Sequence, residues 1–205
     1  NHVRNYAELG ALAAVIDRKP DAAAEQAAAH GVRALSFVEA LADPAVEALV
    51  FALPPSQNLP LGARALAAGK HLFVEKPLAL SVRDGELLAE AAERNDRRLM
   101  VGHILQYHPA FVELARILRS GRLGRLLSLT STRLDFGRIR REEDALWALA
   151  PHDISMILGL VGEEPETVSA RAGRHTHPTI ADTASVDLGF AGGVRAEIRV
   201  SWLHP

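Results

Sequence analysis

Four short apolar runs, each cut off by a polar or turn-forming residue, restrict the first half of this chain to one class of fold. They are Leu12–Ile16 stopped by Asp17, Val46–Leu53 stopped by Pro54-Pro55, His71–Val74 stopped by Glu75, and Leu99–Val101 stopped by Gly102. Between them lie stretches with helix punctuation. Pro20 opens and Gly31 closes residues 20–30, Ser36 is placed to cap 37–42, residues 57–68 end before Gly69, and Ser81 precedes 82–94. Residues 1–9 read as the end of a helix closed by Gly10. A parallel strand buried on both faces is near-continuously apolar, and alternation with helices predicts βαβ units. Residues 1–103 are therefore expected to form a Rossmann-like, doubly wound α/β domain with a parallel sheet.

After residue 103 the pattern changes. Residues 107–119 read as a helix followed by Gly121 and Gly124, and Leu126–Asp135 alternates and is Thr-rich. Residues 144–161 contain a helix; Thr167–Arg171, Ala184–Phe190 and Val194–Trp202 read as strands, with Gly192-Gly193 a hairpin signal between the last two. Strands with few helices predict an α+β domain over 104–205, built on a mostly antiparallel open sheet. The boundary falls near residues 102–105, and no internal repeat or low-complexity linker separates the halves.

Several function classes are excluded by composition. The 205 residues carry a net charge of −2 and 23% charged residues, which leaves no basic footprint for nucleic acid or an anionic membrane surface. No apolar run approaches the ~18–20 residues of a membrane span. With no Cys there are no disulfides, no thiolate chemistry and no Cys-based zinc site. A cytoplasmic protein is expected. The chain begins at Asn1 inside a helix and ends directly after a strand-like run, so a piece truncated at both ends is expected, without the first strand and glycine-rich loop of a dinucleotide fold. Such a piece would expose strand edges and is not expected to be a competent enzyme by itself.

Ligands of doubly wound sheets sit at the carboxyl ends of the strands, so the residues just after each run carry the chemistry. Asp17 stands where an acid accepts hydrogen bonds from the adenosine ribose hydroxyls, while Arg18 would suit a 2′-phosphate; as a lone residue Asp17 reads more readily as a turn former. Only three Lys occur in the chain against 20 Arg, so Lys76 in Glu75-Lys76-Pro77 is the more informative cation. A Lys partly withdrawn from water can give and take protons near neutral pH, and Pro77 stiffens its turn. His152, in Pro151-His152-Asp153, reads as lying near a helix start, where an imidazole can do acid–base work. The spacings of His103/His108 and His175/His177 do not make a metal site; His175 and His177 read as loop residues.

These residues fall in a pattern that resembles the Gfo/Idh/MocA oxidoreductases, the glucose–fructose oxidoreductase and inositol dehydrogenase family. Ala68-Gly69-Lys70-His71-Leu72-Phe73-Val74-Glu75-Lys76-Pro77 resembles the family signature, and Asn1–Tyr6 the helix after its glycine-rich loop. Pro54–Leu66 resembles the next cofactor-side loop and helix, with Asn58 where the family often has His. Val101-Gly102-His103 with Tyr107–Phe111 resembles the domain crossover, and His152–Pro165 the helix of the catalytic His. Phe136-Gly137-Arg138-Ile139-Arg140, Trp147–Ser155 and Ser201–Pro205 are similar to the branch acting on nucleotide-linked sugars, the UDP-N-acetylglucosamine-type 3-dehydrogenases.

The resemblance implies a hydride transfer between a sugar or nucleotide-sugar hydroxyl carbon and NAD, with NADP the other candidate. It implies Lys76 and His152 as the catalytic pair. Asp17, Arg18, Pro54, Asn58, Glu75, Lys76 and Pro77 would be cofactor contacts, and His103, Arg138, Arg140 and His152 substrate contacts, with no metal. Several members carry an Asp one turn before the His; Ala148 stands there in this chain, which fits a two-residue Lys/His arrangement or a weakened activity. A homo-oligomer, dimer or tetramer, is implied for the full-length form. The alternative from another class is a non-catalytic sugar- or nucleotide-binding regulatory protein on the same fold.

Overall fold

The apolar runs become parallel strands, but in two separate sheets. The computed structural model describes residues 1–136 and 143–204, and the chain divides into two compact units, residues 1–102 and 103–205. The first unit runs α1 (His2–Glu8), β1 (Ala14–Val15), α2 (Pro20–His30), β2 (Arg33–Ala34), α3 (Phe37–Ala42), β3 (Ala48–Phe51), α4 (Asn58–Ala67), β4 (His71–Val74), α5 (Val82–Arg94) and β5 (Leu99–Val101). β1 pairs with β2, and β3, β4 and β5 follow one another in order; every pairing is parallel. The strand β2 has no apolar run to announce it, since both of its residues are exposed.

Local chemistry places the helices. At α3, Ser36 accepts from Glu39 N at 3.2 Å while the Glu39 carboxylate accepts from Ser36 N at 2.7 Å, a reciprocal capping box. Pro20 opens α2, and Gly31 closes it with φ near +66°. The helix expected from residue 57 begins one residue later, after a single 3-10 turn over Pro55–Gln57. Leu49, Phe51, Leu66, Leu72, Val74 and Leu88 form the core. Gly62 lets α4 approach it closely, because a Cβ there would lie 2.8 Å from Leu88 and 2.9 Å from Leu72. The buried Lys70 is absorbed structurally, its Nζ donating to Asp43 O at 2.7 Å.

The second unit contains a 3-10 turn (Ile104–Tyr107), α6 (Pro109–Arg119), β6 (Ser128–Leu134), α7 (Ala145–Val161), β7 (Thr167–Gly173), β8 (Thr183–Gly189) and β9 (Arg195–Ser201). Its sheet has the order β6-β9-β8-β7. The β7–β8 and β8–β9 pairings are antiparallel; β6 lies parallel to β9, so the sheet is mixed. The hairpin at Gly192-Gly193 forms, closed by Phe190 N to Val194 O at 3.1 Å. One sheet face is apolar, with Ala184, Val186 and Leu188 from β8 and Ala196, Ile198 and Val200 from β9, and it shares a core with Ala145, Ala148 and Ile157 of α7. The alternate residues Asp187, Arg195 and Arg199 face away and are exposed. Among the described residues, no helix is long and apolar enough to cross a membrane.

Candidate active site

The turn after β4 is gripped from several sides. Glu75 N continues the strand ladder to Phe51 O at 2.8 Å, and the Lys76–Pro77 peptide is cis. Asn58, at the start of α4, is 1% exposed and donates its Nδ2 to Pro77 O at 3.2 Å and Leu78 O at 3.0 Å. Two carbonyl acceptors settle which end of that amide is the nitrogen. Asn58 thus braces the turn through its amide nitrogen. The Glu75 carboxylate is met by His2 of α1, with Nε2 2.7 Å from Oε1. The His2 ring stacks on Tyr6 and packs edge-on against Phe73 at 5.4 Å between centroids. Gly102 closes the other side: a Cβ there would lie 3.0 Å from the Phe73 ring and 3.2 Å from Glu75 Oε2. Lys76 itself is half-buried on this braced turn and Pro77 is buried.

Asp17 follows β1 and is exposed, with Oδ1 accepting from Lys19 N at 2.8 Å. Arg18 and Pro54 are exposed as well. An exposed carboxylate at the carboxyl end of a parallel strand is the chemistry a ribose diol needs, so these residues fit a dinucleotide.

In the second unit, His152 is mid-helix and not near a helix start. The helix begins at Ala145 because Asp144 caps it, its carboxylate accepting from Trp147 N at 2.9 Å, and Pro151 therefore lies in the helix interior. His152 is half-buried, and its carbonyl accepts from Ser155 Oγ at 2.8 Å. Ala148 is buried in the core, so no carboxylate occupies the position one turn before the His. Asp153, next to His152, is buried and held by three hydrogen bonds from Ser131 and Arg133 of β6. Sequence reading missed this pair, although the alternation of β6 puts Ser131 and Arg133 on the less exposed face, where an Arg needs a partner.

His103 is half-buried ahead of the 3-10 turn; Arg138 and Arg140 lie outside the described residues. His175 and His177 belong to the β7–β8 loop. His175 N, Thr176 N and Thr176 Oγ1 all donate to the buried Asp182, and His175 Nδ1 lies 2.7 Å from it. Burial pushes the Asp182 carboxyl up, but the His175 and Thr176 hydrogen bonds outweigh burial and hold it well below the usual carboxylate range.

Residues 1–103 match the family model described as the oxidoreductase family with an NAD-binding Rossmann fold, and residues 111–205 match the GFO/IDH/MocA C-terminal domain. The chain belongs to the Gfo/Idh/MocA oxidoreductase family. Among this family's proteins it is 31% identical to the UDP-N-acetylglucosamine 3-dehydrogenase of Acidithiobacillus ferrooxidans, over 98% of the chain and 62% of that protein. It is 32% identical to an inositol 2-dehydrogenase of Rhizobium meliloti, over 91% of the chain and 60% of that protein. The chain thus spans about three-fifths of the length of these relatives. A solved structure of the Acidithiobacillus enzyme superposes with a TM-score of 0.87 at 31% identity, covering 98% of this chain and 64% of that one. GenD2 from gentamicin A biosynthesis, solved in complex with NAD, superposes with a TM-score of 0.87 at 27% identity, covering 95% and 59%. The first unit of this Gfo/Idh/MocA protein is accordingly the family's NAD-binding Rossmann domain.

Proposed function

We propose that the protein is an NAD(P)-dependent dehydrogenase acting on a CH–OH group of a sugar or nucleotide sugar, with Lys76 and His152 as its acid–base pair. The observation that carries this reading is the braced turn: the one Lys at a strand carboxyl end is held between buried Asn58 and the His2–Glu75 contact. Positioning of this kind is what proton transfer in a transition state requires. The names of the relatives support the CH–OH chemistry.

In the proposed reaction the hydroxyl proton passes to His152 or Lys76, the carbinol C–H bond breaks, and a carbonyl forms. A bound nicotinamide would supply the acceptor for the hydride that leaves this carbon. Asp17 would take the adenosine ribose hydroxyls, with Arg18 available to a 2′-phosphate, and Pro54, Glu75 and Pro77 would line the cofactor side. His103, Arg138 and Arg140 would serve the substrate, Arg being suited to phosphate or carboxylate groups. The reading includes a homo-oligomeric form and a cytoplasmic location.

Absorbance of NADH at fixed NAD⁺, with UDP-N-acetylglucosamine or myo-inositol added to the full-length protein, tests this. Turnover with one of them is expected, falling at least ~10²-fold in Lys76→Ala and in His152→Ala while NADH still binds. Sugar binding without any hydride transfer would replace the dehydrogenase by a regulatory binding protein.

A further inference from the structure

Asp153 makes an expensive arrangement that core packing does not call for. It is 1% exposed, and its carboxylate takes Ser131 Oγ at 2.6 Å, Arg133 Nε at 2.7 Å and Arg133 Nη2 at 3.1 Å. Ser131 and Arg133 pair in register with Ile198 and Val200, so the fork sits at the border of the apolar sheet face. Buried ion pairs are seldom more stabilising than apolar side chains of the same volume. What a forked guanidinium–carboxylate contact adds is fixed geometry.

The helix α7 needs such a fixture. Before His152 its buried residues are Ala145, Ala148 and Ala150, whose methyl groups interdigitate little, while Leu146, Leu149, Ile154, Ile157, Leu158 and Val161 also pack on the core. Pro151 has no N–H, so the turn that carries His152 lacks the bond to the Trp147 carbonyl. Asp153 is the second residue past that break. A side chain about 6 Å from a helix axis moves by roughly 1 Å when the helix rotates by about 10°. A misplacement of that size can lower turnover about 10²-fold.

We propose that Asp153, forked onto Arg133 and bonded to Ser131, is a positioning residue that sets the rotation of α7 on β6 and thereby the placement of the His152 imidazole. The proposal rests on the reading of His152 as an acid–base residue. The test compares kcat, KM and melting temperature in four variants of the full-length protein. Asp153→Asn is expected to lose about 10- to 100-fold in kcat with little change in the KM for NAD. The double variant Arg133→Met/Asp153→Leu replaces the pair by apolar volume. It is expected to melt no lower than the single variant yet to keep the low kcat, because packing is restored and the fork is not. Arg133→Lys keeps the charge without the fork and is expected to give an intermediate kcat. Wild-type kcat in the double variant or in Arg133→Lys would reduce the pair to a structural one. His152→Ala separates the two ideas: full turnover there removes the acid–base reading and the positioning role together, whereas lost turnover beside an active double variant removes the positioning role alone.

Discussion

Lys76 and His152 are held by opposite means. In the first unit, Lys76 stands on a turn at a strand end, gripped by a neutral amide from α4 and by a His2–Glu75 contact whose side chains are about one-third exposed. In the second unit, His152 stands mid-helix beside a carboxylate that is fully buried and forked onto a guanidinium. A strand end inherits its placement from the sheet ladder, so light, partly solvated bracing suffices there. The turn of α7 that carries His152 follows the Pro151 break and three buried alanines, and there a charged fixture takes over.

The sharpest way to break this comparison is to remove the charged fixture. Asp153→Ala leaves Arg133 without its partner and is expected to cost about 3–5 kcal/mol in urea unfolding; a loss under ~1 kcal/mol would mean that the pair holds nothing. The corresponding change in the first unit is Asn58→Ala, which strips the Pro77 and Leu78 carbonyls of their donor and is expected to cost about 1–3 kcal/mol. A cost as large as that of Asp153→Ala would erase the contrast.

A pH scan sharpens the picture of the second unit. The Asp182 carboxyl is held below its ordinary value of 3.8, so its contribution to stability is complete above that pH and is lost as pH falls further, through the depressed folded value. In acid denaturation, the stability gap between wild type and Asp182→Asn is expected to be constant near neutrality and to shrink below about pH 4. A gap that stays constant down to pH 2 would contradict the assignment. His2→Gln is the smallest change: the pair is partly solvated, and the loss is expected to stay within about 1 kcal/mol in the same unfolding experiment.

Much of the first unit was legible because its signals are local. The apolar runs that became β3, β4 and β5, and the caps Ser36 and Ser81, need no distant partner to be read. The placement of Lys76 just past a strand end was legible for the same reason. β2 escaped because two exposed residues carry no pattern. In α7 the Pro151 signal pointed to a helix start, but Asp144 caps the helix earlier and tertiary packing carries it through the proline. The role of Asp153 was illegible because its partners lie 20 and 22 residues away on β6, brought into place by pairing with β9. The same long-range register makes the sheet mixed, as no short pattern says that β6 and β9 run parallel.

The most direct test of the dehydrogenase reading is calorimetric titration of the full-length protein with NADH and with NADPH, each with and without UDP-N-acetylglucosamine. NADH is expected to bind, more tightly than NADPH through Asp17, and the nucleotide sugar is expected to strengthen its binding. Binding of neither cofactor would contradict the dehydrogenase reading.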